Sequence, residues 1–452
     1  MESFNRKSLL QRLGDGELIE AELLQGGVDG AFADATDGLK NVYGTKEIEA
    51  MLNEEQVFVP WLKRAVPAGA QRFSEGIVKF GANLNPPQNV GMLRDMQTLP
   101  PAKDRTQKQF TLTPEIFAGS FTIGWTLKAA GGSNKSAFNG GELNRRTQET
   151  LTDLGKFRES TYVGTHGTGR RARVESDGSN TFVADDPERT TLLRENYYIT
   201  VRTTDGGAGV RDSCDFRKIT AINHDTYTVT YDGADQTLVA GDHVHVVNAL
   251  TQTITAPNGL RGIVDDGTLL DTFQGLSRTT YPKLKSNLAG NSGTLRNLTE
   301  QILINACHKQ RARSGKRVTD AWTSPGQAAK YVEFVAPDRR YNVSGKGIQG
   351  MSTGYTEESL QHVYPGGQFN LRISYDLVPR EIFLVNSGTF FHYVAADMNW
   401  MDEGSLLRLI PASSTFVSGY LAYLASIENI GNDMPIGNTV IRDLKDAVLG
   451  DA

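Results

Sequence analysis

"NWMDEGSLLRL", Asn399 to Leu409, sets a Trp, two acids and a glycine directly ahead of an apolar run. Carboxylates beside an aromatic ring suit a substrate pocket, and they equally suit a turn between two strands. The flanks decide. "FFHYVAAD" precedes the stretch and "SLLRLI" follows it, and both read as strands. Asp402, Glu403 and Gly404 then stand where a solvated turn is expected. No base, nucleophile or metal partner accompanies them in sequence, so Trp400 reads as a packing anchor beside the turn.

Composition agrees with a large folded protein. The chain has 452 residues, 38% hydrophobic and 22% charged, enough for two or three domains with unstapled cores. Its 47 Gly and 16 Pro call for many tight turns and a strand-rich or mixed architecture. A net charge of −5 gives no global basic field for nucleic acid, although a local basic face stays open. Cys214 and Cys307 form no CxxC, which suggests neither zinc nor a disulfide framework and fits a reduced, intracellular site of folding. The N-terminus has no continuous apolar core of the signal-peptide kind. "FVSGYLAYLASI", Phe416 to Ile427, is about half the ~20 residues of a membrane-spanning helix. The expectation is therefore a protein neither secreted by a standard signal nor embedded in membrane. The sequons at Asn134, Asn297 and Asn342 are read as accidental.

Along the chain the texture changes several times. Residues 1–70 read as an N-terminal arm of short amphipathic pieces, unstable alone and in need of a surface to lie on. Residues 71–128 read as an extended, two-stranded projection. Its return side is placed at Phe121, Ile123, Trp125 and Leu127, which alternate, and its tip carries two Pro-Pro pairs. Asn139 and Glu142 have capping-box spacing, and Leu143, Leu151, Leu154 and Phe157 share one face of a long helix in 129–169. That helix should end before the Gly-rich run Gly164–Gly169. Short alternating runs mark 170–270 as a small β sandwich or barrel with a weak internal repeat. In 271–380, "NLTEQILINACHKQRARSG" and "GQAAKYVEFV" read as helices beside strands. Residues 381–452 read as returning strands, with "TVIRDL" as an edge strand.

Candidate chemistry is thin. Gly345, Gly347 and Gly350 match G-x-G-x-x-G, but further glycines follow where a dinucleotide site needs a helix, so a loop is expected. His243 and His245 would share one face of a strand near Asp242, with no third ligand to name. Asp185–Asp186 and Asp265–Asp266 precede Pro and Gly, as turn residues do. "RRAR" at Arg170–Arg173 and "KQRARSGKR" at Lys309–Arg317 lack interleaved aromatics and read as solvated faces, with a modest phosphate-contact role open. No nucleophile elbow, HExxH or Walker loop is present, and no catalytic residue, cofactor or metal is assigned. Arms and projections that want neighbours, without an active site, favour a structural protein that assembles.

At this point the order of elements resembles the major capsid proteins of tailed bacteriophages, the Hong Kong 97-type fold. The closing segment carries most of the likeness, through Asp376, Pro379, Trp400, Gly404 and Arg408, together with Leu407. "FQGLSRTTYPKLKS" adds a G-x-x-R-x-x-x-P pattern at Gly275, Arg278 and Pro282. The resemblance implies an α+β fold with N-terminal arm, extended β-hairpin loop, long spine helix, peripheral and axial domains, and a β-rich insertion. In those terms 129–169 is the spine helix of the peripheral domain, 170–270 the insertion, 271–380 the axial domain and 381–452 the returning peripheral strands. It further implies a non-enzymatic subunit that forms pentamers and hexamers of an icosahedral shell around double-stranded DNA. Portal, scaffold or decoration proteins would be its other partners, the virion its location, and the host cytoplasm its place of assembly. Lys79, Lys103 and Lys108 match no crosslinking pattern, so no crosslink is expected. Two alternatives stand beside this reading: a nanocompartment shell of the same fold, and a multidomain hydrolase whose pocket would unite Asp397 and Asp402.

Overall fold

Alternating and helical runs in this sequence become elements wherever they can bury a face. The computed structural model describes residues 56–83 (without 68, 74 and 75), 107–124, 143–247 (without 208 and 213), 256–339, 361–401 (without 365), 408–411, 416–447 and 449. In chain order, helix α1 is Phe58–Trp61, followed by strands β1 (Gln71–Arg72), β2 (Val78–Asn83), β3 (Gln107–Leu112) and β4 (Glu115–Gly124). Helix α2 is Leu143–Gly164. Then come β5 (Arg170–Gly178), β6 (Thr181–Ala184), β7 (Tyr198–Arg202), β8 (Arg217–Asn223), β9 (Thr228–Tyr231) and β10 (His243–Val246). Helix α3 (Leu260–Ile263) leads to β11 (Thr272–Phe273), β12 (Leu276–Ser277) and β13 (Asn287–Ala289). Helix α4 (Glu300–Ser314), β14 (Asp320–Thr323), helix α5 (Pro325–Arg339), β15 (Gln361–Tyr364), β16 (Gly367–Ile373) and β17 (Ile382–Val385) follow. The closing strands are β18 (Phe390–Trp400), β19 (Arg408–Pro411), β20 (Phe416–Asn432) and β21 (Thr439–Ile441).

The fold is α+β and divides into two compact units. The smaller draws on Ile116–Arg158 and Val394–Glu428. There a four-stranded sheet joins β18, β20 and β19, with β4 also paired to β20. Alternation along β20 turns Ala422, Leu424, Ser426 and Glu428 inward and Tyr423 outward. Leu151 and Leu154 bury the apolar face of α2, and Phe157 meets Phe117 of β4 edge-on at 6.4 Å. A Cβ on Gly119 would sit 3.0 Å from the Thr150 methyl, so helix and strand pack closely and Thr150 would have to give way to a larger residue there. Arg158 of α2 locks the packing by donating from Nη2 to Glu428 Oε2 at 2.6 Å, both side chains buried.

The larger unit draws on Val57–Glu115, Glu159–Tyr393 and Asn429–Ala452. Strands β5–β10 close into a six-stranded barrel of order β10-β5-β6-β9-β8-β7, one of the two forms expected for 170–270. Its interior is filled by Val174, Phe182, Ile199, Val201, Ile219, Val229, Val244 and their neighbours. A second, six-stranded sheet has the order β13-β21-β17-β14-β16-β15. Helices α4 and α5, both where the sequence expected helices, pack on it through Leu303, Ala306, Cys307, Ala328 and Tyr331. Thr299 caps α4 by accepting the Ile302 N–H, and Gly315 ends it at φ +71°.

Two expectations about strands are corrected. "TVIRDL" is not an edge: β21 lies between β13, to which it is parallel, and β17. Thr439, Val440 and Ile441 are all buried, as a strand covered on both faces and both edges must be. The return strand of the projection is β3, paired to β2 from Val78↔Leu112 to Asn83↔Gln107. Phe121 lies instead on β4, which pairs with β20, and Trp125 and Leu127 lie outside the described residues. Pro114, between β3 and β4, cannot donate to a ladder and separates the two strands. Residues 1–55 of the arm expected over 1–70, the capping box, the glycine run 345–350 and the turn Asp402–Gly404 also lie outside the described residues.

Candidate functional site: a buried ion network

After α2 ends, the backbone at Thr165 and His166 runs hard against α3. A Cβ on Gly259 would lie 2.0 Å from Thr165 O, and one on Gly262 2.2 Å from His166 O. This approach, open only to glycine, seats Arg261 between two buried acids. Its Nη1 donates to Glu188 Oε1 at 2.5 Å and its Nε to Glu381 Oε2 at 2.9 Å.

From there the charges alternate in both directions. Glu188 also accepts from Arg170 Nη2 at 2.6 Å, and Arg170 Nη1 donates to Asp205 Oδ2 at 2.8 Å. On the other side, Glu381 accepts from Arg442 Nε at 3.1 Å, and Arg442 Nη2 donates to Asp265 Oδ1 at 3.0 Å. Arg278 Nη1 closes the series 3.4 Å from Asp265 Oδ2. Three imidazoles gather at the far end, where His166 Nε2 lies 2.7 Å, His245 Nε2 3.5 Å and His243 Nδ1 3.9 Å from the Asp205 carboxylate. Barrel strands, α3, the loop before β17 and the segment after β21 are thus tied by side chains from across the larger unit.

The titration behaviour follows from this pairing. Burial alone would raise Glu188, but the Arg261 and Arg170 guanidiniums outweigh it and hold the carboxyl at about 2. Burial likewise opposes ionisation of Asp205, yet hydrogen bonds from His166 and His245 and the charge of Arg170 keep it far below the carboxylate range. Asp265 is held down against its burial by Arg442 and Arg278. Burial pushes the His166 and His243 imidazoles towards the neutral form. Arg278 is lowered to about 10 by burial, with Asp265 opposing.

The charges of the network are paired, although Arg170 Nε, Glu188 Oε2, His166 Nδ1 and His245 Nδ1 are buried without a hydrogen-bond partner. Arg170 Nη1 stands 2.8 Å from Asp205 and 3.5 Å from His243, so a guanidinium fills the place a metal would take. Among the described residues no group of three or more His, Cys, Asp or Glu side chains is arranged to hold a metal ion. His243 and His245 do face one carboxylate, as their spacing implied, but it is Asp205. Asp242 is clamped by Arg211 at 2.7 and 2.8 Å. Such a network suits fixed orientation of the barrel on its support: removing one partner of a buried pair costs about 3–5 kcal/mol.

"RRAR" is corrected on the same ground. Arg170 and Arg171 are buried rather than solvated, Arg170 in the network and Arg171 donating to Ser160 Oγ and Thr161 Oγ1. A charge run reads as surface unless its partners are known, and those partners lie elsewhere in the sequence.

The residues singled out by motif are spread over both units. Gln274 and Gly275, at φ +48° and +80°, form the two-residue turn of the β11–β12 hairpin. Arg278 is fully buried and donates to the carbonyls of Gly262, Ile263, Leu270 and Leu284 at 2.7–3.1 Å. Pro282 opens the 3-10 turn Pro282–Leu284. These three build one corner. Asp376 accepts from Arg194 Nη2 at 2.8 Å, and Pro379 is buried ahead of β17. Trp400 is buried in the smaller unit, edge-on to Phe121 at 6.1 Å. Asp397, three residues before it, lies on the exposed side of β18. The Arg408 backbone pairs with Leu421, and Gly404 lies outside the described residues. Of the network, sequence reading singled out Arg278, His243 and His245, noted Asp265 as a turn residue, and missed His166, Glu188, Asp205, Arg261, Glu381 and Arg442. The nearest signal was Arg170 in its basic run.

No protein-family model and no curated protein matches the chain. Solved structures are similar over most of its length. The cyanophage A-1(L) capsid asymmetric unit is 13% identical, with 85% of this chain and 91% of that one covered, at TM-score 0.48. The capsid of Myoviridae phage XM1 is 8% identical, covering 85% and 90%, at TM-score 0.38. A virus-like particle from Pyrococcus furiosus is 9% identical, covering 87% and 96%, at TM-score 0.33.

Proposed function

We propose that this chain is the major capsid protein of a tailed phage, self-assembling as pentamers and hexamers into an icosahedral shell around double-stranded DNA. The observation that carries the reading is the combination of elements in one chain. A β2–β3 ribbon, a 22-residue helix, a mixed sheet flanked by two helices and a 17-residue closing strand occur in the order the motif resemblance implies. The smaller unit supports it. Ile116, Met401 and Tyr423 are 67%, 55% and 40% exposed on it, apolar side chains left for a neighbouring copy to cover.

In this reading residues 71–115 carry the extended loop, α2 the spine, β5–β10 an inserted domain and the β13–β21 sheet the axial domain. Heterologous contacts between identical copies close rings and then a shell. Assembly proceeds in the host cytoplasm with portal and scaffold or decoration proteins, and the subunit itself catalyses nothing.

Sedimentation and negative-stain microscopy of the expressed full chain test this. Rings of five and six, or closed shells, are expected. A species that stays monomeric at high concentration, with and without co-expressed neighbouring phage proteins, would overturn it. Shells filled with protein rather than nuclease-protected DNA would favour the nanocompartment alternative.

A further inference from the structure

The C-terminal half of α4 and the loop after it carry Lys309, Arg311, Arg313, Lys316 and Arg317, all exposed, with no acid among residues 301–319. The chain as a whole has a net charge of −5, so this is a local reversal of sign.

Two bland explanations are too small. Cations at a helix C-terminus offset its dipole, but that end carries only about half a negative charge, against five positive ones here. Nor is a side chain needed as a cap, because Gly315 donates its N–H to Arg311 O at 2.8 Å. Internal ion pairing is excluded as well. Lys309 Nζ donates to Leu288 O at 2.9 Å, Arg311 Nη1 to Gly366 O at 3.0 Å, and Arg313 Nη1 to Asn287 Oδ1 at 2.6 Å. These acceptors are neutral. They hold the side chains in place and leave the charges whole. Among the described residues no carboxylate forms an ion pair with any of the five cations. The acid of the helix itself, Glu300, lies eleven residues before Arg311, about 16 Å along the axis and beyond a Debye length of about 8 Å. Asp433, an exposed acid, senses Lys316 without forming an ion pair with it, so it offsets only part of one of the five charges.

We infer that this end of α4 is a contact surface for the phosphate backbone of duplex nucleic acid. Lys309 and Arg313 lean towards β13 and Arg311 towards the β15–β16 turn, so the cations straddle the helix end as a broad patch rather than converging on one small anion. Phe, Tyr and Trp are absent from residues 301–319, so the segment that carries the cations supplies no ring for stacking unpaired bases. Broad positive charge without stacking or base-edge readout matches sequence-independent duplex contact. The inference rests on the shell reading only for where the duplex comes from.

The test is fluorescence anisotropy of the full chain, below its assembly concentration, with a random-sequence 30-base-pair duplex. Four phosphate contacts predict a log–log salt slope of about −3.6, a roughly 100-fold loss of affinity between 50 and 200 mM salt. The triple variant Lys309→Gln/Arg311→Gln/Arg313→Gln keeps a donor at each neutral acceptor. It should reduce that slope in magnitude by about 2.7. Lys63→Gln/Lys108→Gln/Lys283→Gln removes equal charge elsewhere and should leave the slope unchanged. No measurable binding, equal losses in the two variants, or tighter binding of polyglutamate than of duplex would each overturn the inference. Microscopy of the same preparations keeps the two proposals apart: shells that form normally without duplex affinity sink this one and leave the shell reading standing.

Discussion

The Glu159 carboxylate accepts the Phe58 backbone N–H at 2.8 Å, linking α2 to a residue 101 positions earlier in the chain. The Val57 and Val59 N–H groups approach the same carboxylate at 3.4 Å, so one buried acid caps the whole opening turn of α1. Burial, with Asp376 adding repulsion, raises this acid to about 7 although the three N–H groups pull it down.

Stability should therefore respond to pH through Glu159. Its folded value lies above the ordinary 4.5, so the folded state holds the extra proton between those limits. The contribution is fully present below about 4.5 and is lost as pH rises through about 7. Glu159→Gln should flatten this part of the profile, a difference on the order of 2–3 kcal/mol between pH 5 and 8. Thermal melts of both proteins across that range decide; parallel profiles would show that Glu159 does not titrate there.

Glu188 predicts the opposite sign at acid pH. Its folded value of about 2 lies below the ordinary 4.5, so its stabilisation is present above 4.5 and lost as pH falls through about 2. Glu188→Gln should be less stable than the parent at pH 7, with the gap closing towards pH 2. Denaturant titrations at pH 7, 4 and 2.5 measure it, and a gap independent of pH would refute the assignment.

Arg278→Lys tests the corner it builds. A guanidinium reaches four carbonyls and Asp265 from one plane, which the ammonium of Lys cannot span. A loss of about 2–4 kcal/mol is expected from the stranded carbonyls. Urea midpoints report it; a Lys variant as stable as the parent would mean the carbonyls find other donors.

Trp400 and Asp397 separate packing from catalysis. Trp400→Ala empties the contact with Phe121 and should cost about 3–5 kcal/mol, while Asp397→Asn on the exposed side of β18 should leave melting within ~0.5 kcal/mol of the parent. The reverse order in calorimetry would overturn the packing role given to Trp400.

Local signals were legible and distant ones were not. Helix α2 announces itself through periodicity within a few turns, α4 and α5 as runs of helical texture, and the barrel through short alternating runs. Pairing is another matter. Nothing near Phe121 says that its strand joins β20 rather than the ribbon, and nothing near Val440 says that β13 will lie beside it. The ion network fails for the same reason: Arg170, Arg261 and Arg442 look like surface cations until Glu188 and Glu381 are beside them. Arg278 was singled out by the resemblance of Gly275, Arg278 and Pro282 to a recurrent motif, which is short enough to be seen within one stretch of sequence.

The place of β21 also sets a schedule. Asn287 has to wait for Thr439 as its strand neighbour, so the sheet of the larger unit is unfinished until some 150 residues after β13 have emerged from the ribosome. Contacts this distant in sequence are slow to close. Until β21 arrives, β13 and β17 each show an unpaired edge, so the unfinished sheet is open to pairing with other chains during synthesis.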